Sequence, residues 1–69
     1  MKVFVNDVAI VVFEGAKVKD AVLKTDRNSY QSFLSGVLIV RDSEGNELMP
    51  NGQLSDEVHI YFDKNTLKL

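Results

Sequence analysis

Met1, Val3 and Val5 alternate with Lys2, Phe4 and Asn6 at the start of the chain. A period of two is the signature of a strand with one face turned to a core. Asn6-Asp7 follows, and both residue types tolerate the positive φ that a two-residue type I′ hairpin turn requires. Val8 to Phe13 then reads as the returning strand. If Val3 and Val5 face the core, pairing across the turn sends Val8, Ile10 and Val12 inward. Phe4, Ala9, Val11 and Phe13 are left on the opposite face. This second strand is apolar on both faces, whereas a strand of a small sheet normally wets one of them.

Glu14-Gly15 breaks the strand pattern. Val18, Ala21, Val22 and Thr25 then follow the i, i+3, i+4, i+7 spacing of one helix face. Asp20 falls in the first turn, where the helix dipole favours an acid. Thr25 to Asn28 interrupts the pattern, and Tyr30, Phe33 and Leu34 resume it. Their face is rotated by roughly 100° from the first on a 3.6-residue wheel, so one straight helix does not bury both. The spacing predicts a broken helix whose second part is capped by Ser29 and stopped by Gly36. Val37 to Val40 is a continuous apolar run that reads as a central strand. Asp42 to Asn46 is a turn, Glu47 to Met49 a short returning strand, and Pro50-Asn51-Gly52 a further break. Val58 to Phe62 is the last strand, with Val58, Ile60 and Phe62 on one face, and Asp63 to Leu69 is a polar tail ending in Leu67 and Leu69.

Strand, strand, helix, strand, short strand, strand is the order of an α+β fold of the β-grasp, or ubiquitin-like, kind. The expectation is one domain over residues 1–69, a mixed four- to five-stranded sheet with one main helix packed across one face. The expected core is Val3, Val5, Ile10, Val12, Val18, Val22, Ile39, Leu54, Val58 and Ile60.

Composition narrows the function. The 69 residues contain no cysteine, which excludes disulfides and thiolate metal sites. Net charge is −2 with acids and bases interleaved, so the basic stripe of a nucleic-acid binder is missing. No run approaches the ~20 apolar residues of a membrane span, and the N-terminal residues lack a signal-peptide pattern. A cytoplasmic protein without membrane or nucleic-acid partners is the expectation.

The opening MKVFVNDVAIVVFEGAKVKDAVL resembles that of the small sulfur-carrier proteins ThiS and MoaD. In that family a Met-x-Val-x-Val-Asn hairpin precedes Glu-Gly-x-x-Val and an acidic residue in the helix. Leu54 to Ile60 is similar to the family's approach to its last strand. The resemblance implies the β-grasp fold and covers most of the chain, weakening over Asp26 to Gly36. Sulfur carriers use a terminal Gly-Gly whose carboxylate is adenylated and thiolated. Here no glycine follows Gly52, so that chemistry is not carried over. Family members also cap the helix with threonine or serine near residue 17. Lys17 cannot accept an amide hydrogen bond, and losing such a cap costs about 0.5–2 kcal/mol.

The remaining polar clusters read as surface. His59, the single histidine, alternates with core residues and has no partner for a catalytic triad. Asp42, Glu44 and Glu47 crowd a turn but lack a calcium-loop pattern. Lys17, Lys19 and Lys24 lie on a solvated helix side, with Asp20 and Lys24 spaced to pair. No catalytic residue, cofactor or metal ligand is assigned, and an enzyme is not expected. The candidate site is a protein-binding patch of Phe4, Val11, Phe13, His59 and Tyr61 on the sheet face away from the helix. It would serve a protein partner or self-association, unless the tail or the Tyr30–Leu34 segment covers it. The alternatives are a sulfur carrier proper, or a regulatory module similar to TGS domains.

Overall fold

The computed structural model describes residues 1–64; Leu67 and Leu69 lie outside the described residues. Asn6 and Asp7 take φ values of 50° and 70°, so the turn has the two left-handed residues its sequence suggested. It joins β1 (Lys2–Val5) to β2 (Val8–Val11) in the register Val3↔Ile10 and Val5↔Val8. Two helices follow, α1 (Val18–Thr25) and α2 (Arg27–Ser35), then β3 (Leu38–Asp42), β4 (Glu47–Leu48) and β5 (His59–Lys64). The strands form one mixed sheet in the order β2-β1-β5-β3-β4. Among the described residues only the β1–β5 pair is parallel, with Val5 opposite Ile60. The fold is a small α+β structure built on a five-stranded mixed sheet and two helices.

The helix is broken where the spacing predicts, and its second part is a full helix of its own beside the one main helix expected. Asp26 sits between them in extended conformation, φ −165° and ψ 128°. Its carboxylate accepts hydrogen bonds from the Ser29 amide and hydroxyl, both 2.9 Å away. Asp26, not Ser29, is therefore the cap of α2, because an acceptor must precede the donors it serves by about three residues. Gly36 ends α2 in the left-handed region, φ 86°, as expected.

The missing cap on α1 is made good by tertiary structure. Lys17 offers no acceptor, and the Val18 and Lys19 amides donate instead to the Gly52 and Pro50 carbonyls at 2.9 and 3.0 Å. Asp20 completes the end by accepting from the Lys17 amide at 2.8 Å. These bonds need residues 50–52 close against the helix start. A Cβ on Gly52 would stand 3.0 Å from the Met49 carbonyl oxygen and 3.4 Å from Val18.

The helix-side core comprises Val3, Val5, Val12, Ala16, Val18, Ala21, Val22, Phe33, Val40 and Ile60, with Ile10, Leu54 and Val58 packed partly against it. Two expectations fail here. Ile39 does not enter the core and Val40 does, because Val40 pairs with Phe62 and so shares the inward parity of Ile60. A continuous apolar run carries no alternation from which to read that parity. Val8 has inward parity but is 63% exposed, since β2 is the sheet edge and Val8 stands at its turn end, beyond Ile10, which still packs against the core. Tyr30 and Phe33 also pack on the helix-side core, so the Tyr30–Leu34 segment does not cover the outer face.

Ile60 is fully buried on the strand shared by both halves of the sheet. Ile60→Ala is expected to lower unfolding free energy by about 2–5 kcal/mol in denaturant melts. Glu57 holds φ 64° without being glycine. Glu57→Gly should relieve left-handed strain and raise stability by about 1 kcal/mol, read as a higher denaturant midpoint at unchanged slope.

Candidate functional site

Strand alternation sends Phe4 of β1 and His59 and Tyr61 of β5 to the face away from the helices. Phe4 stands opposite His59 in the parallel ladder. Their rings stack with centroids 4.4 Å apart and planes 9° apart. The Tyr61 ring lies 6.4 Å beyond His59 at an interplanar angle of 22°. The Lys2 ammonium sits 5.4 Å from the Phe4 centroid, within cation–π range. All three rings are half-buried.

The hairpin turn feeds this row from one end. Tyr61 Oη donates to Asp7 Oδ1 at 3.2 Å and lies 3.5 Å from His59 Nδ1. His59 Nδ1 and Asp7 Oδ1 are 3.9 Å apart, an ion-pair distance when the imidazole is protonated. Asn6 Oδ1 accepts from the Phe62 amide at 3.0 Å, which fastens the turn to β5. Partial desolvation first, and then the Asp7 carboxylate, hold the Tyr61 phenol above its ordinary pKa of 10.0. Asp7 both accepts a hydrogen bond from the neutral phenol and repels a phenolate.

The other two residues of the expected patch lie apart from the ring row. Val11, 63% exposed, stands opposite Lys2 in the hairpin ladder. Phe13, 64% exposed, lies past the end of β2. Ile39 joins the outer face by its pairing with Asp63, and Arg41 by its pairing with Tyr61. Arg41 Nε and Asp63 Oδ2 are 3.4 Å apart. Asn6, Asp7 and Lys2 are the site residues that sequence reasoning missed. Asn6 and Asp7 already had an explanation as turn residues, and Asp7 meets Tyr61 across 54 positions.

The acidic turn is an internal knot. Asp42 Oδ1 accepts from the Glu44 and Asn46 amides, each at 2.9 Å. These bonds, that from Asn46 foremost, hold its carboxyl below the ordinary aspartate value. Among the described residues no three His, Cys, Asp or Glu side chains group as metal ligands. No helix among them is long and apolar enough to cross a membrane. Comparison with family models, curated proteins and solved structures found no match to this chain.

The raised Tyr61 pKa has a defined sign. The stability it contributes is complete below the unfolded-state value near pH 10 and is lost as pH rises through the higher folded-state value. In an alkaline titration of tyrosinate absorbance, Tyr61 should ionise late. Asp7→Asn should move that step part of the way back towards 10, and Tyr61→Phe should abolish it. An unchanged titration in Asp7→Asn would remove Asp7 as a cause.

Proposed function

We propose that the chain is a ubiquitin-like β-grasp domain that recognises another protein through its outer sheet face and carries out no chemistry of its own. Support for the fold comes from the strand order β2-β1-β5-β3-β4, the parallel β1–β5 pair and the helices gathered on one face. The resemblance of the opening hairpin and helix to ThiS and MoaD points the same way. That family works by docking on larger proteins, which fits a binding role.

The observation that carries the proposal is the composition of the outer face. A row of three rings, Phe4, His59 and Tyr61, runs across β1 and β5. Lys2, Asp7, Arg41 and Asp63 surround it. An aromatic centre within a charged rim is the usual anatomy of a protein interface, where tyrosine and arginine are over-represented. The rings are held by stacking and by the Asp7 bond, so little side-chain entropy remains to be lost on docking. The polar groups bond to one another, an arrangement suited to recognition rather than to turning over a substrate.

Site-specific photo-crosslinking in the native host tests this. A photoreactive phenylalanine replacing Tyr61 should give a discrete adduct with one protein species. The same group replacing Leu23, exposed on α1, should not. Matching adduct patterns from both positions would refute an outer-face interface.

A further inference from the structure

The open edge of the sheet points to a second interaction, separate from the outer face. Val12 donates to the Met1 carbonyl at 2.8 Å and accepts from the Met1 ammonium at 3.0 Å. In an antiparallel ladder bonded pairs recur every second residue. Ile10 and Val8 therefore bond to β1, while the amides and carbonyls of Ala9 and Val11 point away from it, to the edge. No strand among the described residues pairs there, since β2 is last in the sheet order.

Edges of this kind are templates for strand addition and are normally blunted by charge, proline or a bulge. Residues 8–13, VAIVVF, carry neither charge nor proline, although 26% of the chain is charged. Val8 on the helix side and Val11 on the outer side are equally exposed, at 63%. A strand apolar on both faces is built for the interior of a sheet, yet this one stands at the margin. One guard is present. Lys24, at the end of α1, does not pair with Asp20 but reaches over and donates its ammonium to the Val11 carbonyl.

We propose that β2 pairs antiparallel with β2 of a second copy of this chain, and that Lys24 restrains this pairing by occupying the Val11 carbonyl. Two-fold pairing about Ile10 lets Ala9 N–H donate to the Val11 carbonyl of the second copy, and Val11 N–H to its Ala9 carbonyl. The partner strand must be apolar on both faces, and β2 itself supplies such a strand. Neither copy brings a charge within residues 8–13 to be desolvated or repelled. The opposite margin, β4, has two residues including Glu47 and offers no comparable edge. The assembly therefore closes at a dimer and does not extend into a fibre.

Analytical ultracentrifugation of the full chain from micromolar to millimolar concentration tests this. The wild type should show a reversible monomer–dimer equilibrium, and Lys24→Ala should shift it several-fold towards dimer. Ala9→Pro removes an edge donor that β1 does not use, and should remain monomeric. Amide exchange on the unaltered chain covers the chance that the proline variant misfolds: Val11 should gain protection with concentration while Ile10 is unchanged. A wild type and Lys24→Ala that both stay monomeric, or a folded Ala9→Pro that dimerises like wild type, would overturn the proposal. So would a Val11 amide indifferent to concentration. Tyr61→Phe, which alters only the outer face, should leave the equilibrium unchanged. A loss of dimer there would place the contact on the outer face instead.

Discussion

The parallel pairing of β1 with β5 is the contact on which the rest of the structure depends. Without it the sheet falls into a two-stranded hairpin, β1–β2, and a three-stranded piece, β5-β3-β4, with no pairing between them, and a lone two-stranded hairpin is marginal in water. Phe4 and Asn6 amides donate to the Val58 and Ile60 carbonyls along this seam, each at 2.9 Å. Val3 and Val5 of β1 and Ile60 of β5 are all buried on the helix side. The ring stack of Phe4 on His59 covers the same seam from the outside. The candidate site is thus the outer half of the central joint of the fold. Binding there would act on the pairing with the longest loop to close.

The core is made of small pieces. Six valines and two alanines accompany one isoleucine and one phenylalanine in the buried set. A domain of this size buries only about 60% of its unfolded surface, and it has no disulfide to add. Backbone bonds between distant segments take up part of the task. The carbonyls of Pro50 and Gly52 cap α1, Asp56 Oδ1 accepts from the Lys2 amide, and Asn6 holds β5. Each is an interaction between segments that are not neighbours in sequence. Ile10 of β2 packs against the helix-side core, whereas Val8, at the turn end of the same edge strand, stays bare despite its inward parity.

Much of the fold was legible in the chain. The Asn6-Asp7 turn, the helix starting at Val18, the Gly36 stop and the alternation in the last strand are local signals, each set by backbone conformation or by spacing along one element. The candidate site was legible in part. Phe4, His59 and Tyr61 were assigned to one face by period-two reasoning, and they meet there. Their dependence on Asp7 was hidden because that residue was already accounted for as a turn former. Lys24 was assigned to a local pair with Asp20, a reading its spacing allowed, yet its side chain takes the edge carbonyl of Val11.

Local geometry is what the amino-acid order determined by itself: where the hairpin turns, where α1 begins and α2 ends, and which residues of an alternating strand share a face. These follow from steric limits on φ and from fixed periods of two and 3.6 residues. Tertiary structure alone decided that Val40 and not Ile39 is buried, that a lysine-capped helix finds its acceptors in a distant loop, and that a strand apolar on both sides stands at the sheet margin. Burial is a property of position within the assembled layers, and a uniform apolar run is compatible with the centre of a sheet and with its edge alike.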